Sequence, residues 1–185
     1  MNKKLFFVSV LLVLVPYLAL FAVATVFFSS KLPFFKSIME NVFCNNAWHL
    51  IAALLICYLL ILVLDVICFF ASIHKKWDSL SVARAAMIIK LVQIPAYVSI
   101  FILGVLLLIS IFTIPFTIAL FLVDCLSVFM TGLLVISSVI TATRSNTLAF
   151  KQVFWVILLQ FIFCADVVAS VVFYVKLKRS KEMQK

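Results

Sequence analysis

The long apolar runs decide what this chain can fold into. Residues 5–28 carry no charge, and a helix of that length, at 1.5 Å per residue, is longer than the roughly 30 Å hydrocarbon core of a bilayer. Mostly apolar runs follow at residues 48–73, 85–112, 116–143 and 152–175. The composition agrees, because 68% of the residues are hydrophobic and only 11% are charged, against about 45–50% and about 25% in soluble domains. The sequence therefore predicts an integral membrane protein.

The predicted fold is all-α: a polytopic bundle of about five transmembrane helices in a single domain, residues 1–185. Between residues 81 and 143 the only charges are Arg84, Lys90 and Asp124, and this stretch is too long for one span. Pro115 marks the best place for it to turn, because proline lacks a backbone donor and disfavours helix in the residue before it. Residues 176–185 are predicted to be a basic tail.

The positions of the basic residues leave a second topology open. Five spans divide them almost evenly between the two sides of the membrane, whereas a re-entrant segment at residues 113–143 would place most of them on the inner side. Non-helical backbone at membrane depth must be covered by protein or water, and residues 116–143 are long enough to cross. Five spans are therefore the first prediction, and four spans with a re-entrant hairpin are the alternative.

Two features near the N-terminus bear on topology. Lys3 and Lys4 before the first run, and the small residues 22–24 near its end, are also found in signal peptides. The run is longer than a typical signal core, so we expect it to remain as a span. The loop that follows is predicted to hold a short amphipathic helix around residues 34–43, at the membrane surface.

The net charge of +9 would suggest a nucleic-acid partner in a soluble protein, but here the basic residues flank the apolar runs. That distribution is typical of residues that anchor helix ends at lipid headgroups. We therefore expect the lipid bilayer, and no nucleic acid, as the main partner of the basic residues.

Three acids sit inside apolar runs, where an aspartate costs about 2.5–3.5 kcal/mol, and each is expected to face the bundle interior or water, or to be protonated. They are Asp65, Asp124 and Asp166. Helical spacing places further polar side chains on the same faces. The candidate site residues are Asp65, Asp124, Asp166, Lys90, Gln93, Tyr97, Tyr58, Ser127 and Thr131.

Two functions remain open for these residues. They could line a path or site for a proton, a cation or a small basic solute, which predicts a small transporter-like or ion-responsive protein. They could instead be interhelical hydrogen-bond partners, which predicts a structural or accessory subunit of a larger membrane complex, including an assembly or immunity factor. Small-residue spacings at 165–169 and 127–131 suit internal packing or a homo-oligomer equally.

The sequence gives little support for enzyme activity. The five cysteines form no CxxC pair, and His49 and His74 both lie at the ends of apolar runs. With two glycines there is no Gly-rich phosphate loop, and adjacent ligands such as Asp124 and Cys125 point about 100° apart on a helix. We predict no enzyme activity, no metal site and no cofactor.

Three stretches resemble a family of uncharacterised small bacterial polytopic membrane proteins: AMIIKLVQIPAY at 86–97, ISIFTIPF at 109–116 and FCADVVASVVFYVKLK at 163–178. The likeness spans most of the chain. It implies a bacterial origin and a place in the cytoplasmic membrane, and it implies nothing about chemistry.

Overall fold

The chain is almost entirely helical in the computed structural model, which describes residues 3–75, 77–109, 111–160, 162 and 165–183. In chain order the α-helices are α1 (Lys3–Phe28), α2 (Pro33–Asn41), α3 (Ala47–His74), α4 (Ser79–Leu107), α5 (Ile114–Arg144), α6 (Phe150–Leu159) and α7 (Ala165–Met183). A short 3₁₀ turn, Ile111–Thr113, precedes α5.

Local chemistry sets where these helices begin. The side chain of Asn46 accepts a hydrogen bond from the backbone N–H of Trp48 at 2.9 Å, and so caps α3. Asp78 caps α4 in the same way by accepting from the N–H of Ser81 at 3.0 Å. Pro33 and Pro115 lie in the first turn of α2 and α5, where a missing N–H costs no helical hydrogen bond. Pro115 therefore starts a helix, and the predicted turn lies just before it.

Four helices in the described part of the chain are long and apolar enough to cross a membrane: α1, α3, α4 and α5. Large apolar side chains such as Leu55, Leu59 and Phe101 are exposed on their outer faces, as lipid contact requires. The four helices indicate an integral membrane protein, which confirms that part of the prediction. A fifth span is not confirmed.

The short connections between these helices define two ends of the bundle. One end, which we call the α2 end, carries α2 and the turn before α5; there Phe27 of α1 contacts Phe116 of α5 with ring centroids 5.8 Å apart. The opposite end carries Lys75, Asp78 and Arg144, and we call it the basic end. Helix α2 matches the short helix predicted around residues 34–43 and packs on α1 through its buried Met39.

The predicted fifth span, residues 152–175, is not one helix. Helix α6 enters from the basic end and stops at Leu159, after about 15 Å, which is roughly half the hydrocarbon thickness. Helix α7 then returns to the basic end. There Ser180 Oγ donates to the carbonyl of Thr147 at 2.6 Å, and Lys181 forms an ion pair with Asp78. Both ends of the α6–α7 hairpin therefore lie at the basic end.

The helices differ from the sequence predictions in three places. The alternative with four spans and a re-entrant hairpin had placed the hairpin at residues 113–143, which is wrong, because α5 is a continuous helix from Ile114 to Arg144. The predicted basic tail is helical as far as Met183 and buries Leu177 against the bundle. The third span also begins and ends earlier than the predicted 85–112, since Asp78 starts α4 and Leu107 ends it.

Candidate intramembrane polar site

A buried ion pair lies at the centre of the bundle. Lys90 Nζ on α4 donates to Asp166 Oδ2 on α7 at 2.6 Å, and the two side chains are 0% and 2% exposed. Asp166 lies in the first turn of α7, where a negative charge also offsets the positive end of the helix dipole. Each ion would be expensive alone at this depth, and together they are close to neutral. Asp166 reaches Lys90 from the start of α7, just after the break in the fifth apolar run.

A hydrogen-bonded network continues from the ion pair along α4. Gln93 Nε2 donates to the carbonyl of Leu12 on α1 at 2.8 Å and to Ser127 Oγ on α5 at 3.3 Å. Tyr97 OH donates to Gln93 Oε1 at 2.8 Å and lies 3.2 Å from the same serine hydroxyl. Thr131 Oγ1 donates to the carbonyl of Ser127 at 3.0 Å. The network joins α1, α4 and α5 through fully paired polar groups.

A second small network closes the tip of the hairpin. Gln160 directly follows α6, is fully buried, and donates from Nε2 to Ser170 Oγ at 3.3 Å. Ser170 Oγ in turn hydrogen-bonds the carbonyl of Asp166 at 2.7 Å. Gly132 of α5 lies under this tip, where a Cβ atom would sit 3.6 Å from Gln160 Cβ. Sequence reasoning missed Gln160, although a glutamine in the middle of an apolar run was a usable signal.

Asp124 differs from Asp166 because it forms no ion pair with a described basic side chain. Its side chain on α5 lies within electrostatic range of Asp166, yet its Oδ1 is buried and makes no hydrogen bond with the described residues. The residue is 7% exposed. Asp124 also lines a cavity of about 700 Å³ between α4 and α5, toward the α2 end. It is therefore a carboxyl group that meets an open space at membrane depth.

The two predicted residues of α3 do not join this group. Tyr58 OH donates to the carbonyl of Val15 at 3.2 Å, which ties α3 to α1. Asp65 is 0% exposed, and neither of its carboxyl oxygens has a hydrogen-bond partner among the described residues. A buried ionised carboxyl without a partner is so unfavourable that such a group carries a proton or holds a cation. The structure thus places Asp65 apart from Asp124 and Asp166. The predicted site residues that it brings together are Asp166, Lys90, Gln93, Tyr97, Ser127, Thr131 and Asp124.

In the part of the chain that the structure describes, no three His, Cys, Asp or Glu side chains lie where they could hold one metal ion. No protein-family model matches this chain, and no curated protein or solved structure matches it either.

Proposed function

We propose that this chain is a small transporter-like or proton-responsive membrane protein in which Asp124 takes up and releases a proton. One observation carries the proposal: Asp124 lines a cavity and its Oδ1 has no hydrogen-bond partner among the described residues, while the neighbouring Asp166 is already neutralised by Lys90. A carboxyl group in that position changes its charge without breaking an existing ion pair. Proton-coupled carriers need such a group.

The titratable groups around Asp124 would set its behaviour. Asp166 on α7 adds a like charge, Lys90 on α4 offsets it, and Tyr97 lies near both acids. Other titratable side chains on these helices and on those packed against α5 include Tyr17 on α1, Cys57, Tyr58, Asp65 and Cys68 on α3, Cys125 on α5 and Tyr174 on α7. Protonation of Asp124 would remove its repulsion with Asp166, so we expect the hairpin to respond to it.

The accessory-subunit alternative draws less support from the packing. Ala169, Ser127 and Thr131, which could have formed a small-residue patch for another subunit, are all buried inside this chain. They are used for internal packing.

The proposal includes a place in a bacterial cell membrane with the basic end toward the cytoplasm. Cytoplasmic flanks of membrane proteins collect Lys and Arg. Lys and Arg at the basic end include Lys75, Arg84, Arg144, Lys151, Lys176, Lys178, Arg179 and Lys181, and α1 also begins there at Lys3 and Lys4, whereas Lys31 and Lys36 lie at the α2 end.

Proton uptake can be tested in liposomes that contain the purified chain. Infrared difference spectra between neutral and acidic buffer should show a protonated carboxyl band that Asp124→Asn removes. A pH-sensitive dye inside the vesicles would report whether protons also cross. Glu40→Gln is the matched control, because Glu40 is an exposed acid on α2. An unchanged infrared band in Asp124→Asn would overturn the proposal.

A further inference from the structure

The cavity beside Asp124 is a lateral groove with an apolar lining. Ile100, Leu120 and Val128 form its buried floor, and Phe101 and Phe121 stand exposed at its sides. Its volume of about 700 Å³ falls in the range of small-molecule sites, about 300–1,000 Å³. Because Phe101 and Phe121 belong to the exposed outer surface, the groove opens toward the lipid.

The charge of the lining selects the kind of ligand. Asp124 is the only charged side chain among the described lining residues, and no basic residue lies with it. Asp124 lies at the floor, and its Oδ1 is buried with no hydrogen-bond partner in the part of the chain that the structure describes. Aromatic faces such as those of Phe101, Phe121 and Phe129 also attract cations. The groove is complementary to a positive charge and repels an anion.

The lining also argues against a bare metal cation. An inorganic cation needs several oxygen ligands to replace its hydration shell. Besides Asp124, the oxygen-bearing side chain in the described lining is Thr117, and its hydroxyl already donates to the carbonyl of Gly104 at 3.4 Å. An organic cation, whose charged atom is surrounded by carbon groups, does not need those oxygen ligands.

We propose that the groove between α4 and α5 binds a monovalent lipophilic organic cation, such as a quaternary ammonium or phosphonium ion, with Asp124 as its counter-ion. The ligand enters from the bilayer, where such cations partition. This inference rests on the proposed function and deepens it, because a proton and the organic cation compete for the same carboxyl group. Binding of the cation breaks the carboxyl O–H bond and releases the proton to water, and protonation of the carboxylate re-forms that bond and releases the cation.

The test uses tetraphenylphosphonium and the full chain in lipid nanodiscs, with binding measured by equilibrium dialysis. Tetraphenylborate, which has nearly the same shape and the opposite charge, is the matched probe. We expect saturable binding of the cation, weaker in acid, and no saturable binding of the anion. Asp124→Asn should weaken binding of the cation about tenfold or more, while Glu40→Gln leaves it unchanged.

A second variant protects the test against misfolding. Gly104→Leu adds a side chain to the lining of the groove and keeps Asp124 itself; a Cβ atom at this position would sit 3.7 Å from Thr117 Cγ2, an ordinary contact. It should also weaken binding, with an unchanged circular dichroism spectrum. Equal binding by wild type and both variants, or equal binding of the anion, would overturn the inference. If the infrared band of Asp124 persists without saturable cation binding, the ligand class fails and the proton function stands.

Discussion

Lys90 Nζ and Asp166 Oδ2 lie 2.6 Å apart, although 76 residues separate them in the chain. The contact occurs where α6 has ended at Leu159 and α7 begins at Ala165, so that Asp166 meets Lys90 from the first turn of α7. The ion pair and the α6–α7 hairpin are therefore two aspects of one arrangement. Asp124 is the acid of this centre that has no basic partner among the described residues.

Breaking this pair should be costly. We expect Lys90→Met or Asp166→Asn alone to lower the free energy of unfolding by about 3–5 kcal/mol, because each leaves a buried charge unpaired. The double variant should lose less than the sum of the two. Unfolding in mixed detergent micelles, followed by circular dichroism, measures all three.

The exposed pair of Lys36 and Glu40, 3.8 Å apart on α2, supplies the control. Lys36→Met should change the stability by no more than about 1 kcal/mol. Additive losses in the double variant of Lys90 and Asp166 would mean that the two side chains do not interact.

Replacement of Asp65 should have the opposite effect on stability. Its two carboxyl oxygens are buried and have no partner among the described residues, so Asp65→Leu should raise the free energy of unfolding by about 1–3 kcal/mol. Ser72→Ala removes a buried hydroxyl of the same helix that also lacks a described partner, and it should have a smaller effect in the same direction. The same unfolding assay applies. A loss of stability in Asp65→Leu would show that Asp65 holds a cation or another partner.

Gly132 should tolerate only a small side chain. Gly132→Ala places its Cβ at an ordinary 3.6 Å from Gln160 Cβ and favours helix, so it should be neutral or stabilising by up to about 1 kcal/mol. Gly132→Leu should destabilise by about 1–3 kcal/mol, because it overpacks the tip of the hairpin. Thermal unfolding of the two variants distinguishes them. Equal stability would mean that α6 does not approach α5 at this point.

The contact between Asp78 and Lys181 should depend on pH. Burial works to raise the pKa of Asp78, but the hydrogen bond and charge of Lys181, with the N–H of Ser81, outweigh it and hold the pKa below its ordinary value. The contribution of this contact to stability is therefore present above the ordinary aspartate pKa of about 3.9 and is lost as the pH falls through the lower folded value.

Trp77 can report this transition in a variant that carries Trp48→Phe and Trp155→Phe. Its emission should change only in acid, below about pH 4. Asp78→Asn, which still caps α4, should show no acid transition, and Glu182→Gln should retain it. A transition that persists in Asp78→Asn would assign it to another group.

The sequence predicted the long helices well, because uncharged runs of membrane length leave the backbone no other way to satisfy its hydrogen bonds. It also pointed to Lys90, Gln93 and Asp166, since polar side chains inside such runs must turn toward one another. It could not predict the break after Leu159, because residues 160–164 contain neither Gly nor Pro. That break follows from the contacts of Gln160 and Asp166 with other helices, which helical periodicity does not reveal.

Five spans were predicted because hydropathy depends only on the residue types in a run and carries no information about contacts between helices. The uneven distribution of basic residues did favour a re-entrant hairpin. Because of Pro115, the hairpin was predicted at residues 113–143 and not in the fifth apolar run, where α6 and α7 form it. Proline at the first turn of a helix is compatible with a full-length span, as α5 shows. Helical spacing placed Asp124 on the polar face of its helix. The cavity beside Asp124 could not be predicted, because it depends on side-chain packing that no sequence pattern describes.

The central claim, that α6 and α7 return to the end where α5 finishes, is tested most directly by cysteine accessibility. Single cysteines at Ser37 on α2, Ser145 after α5 and Glu182 on α7, all exposed, would be introduced into a chain without its native cysteines. A membrane-impermeant thiol reagent would then be added to intact cells. We predict that Ser145→Cys and Glu182→Cys are both protected and that Ser37→Cys is labelled. Labelling of Glu182→Cys with protection of Ser145→Cys would contradict the hairpin and restore a fifth span.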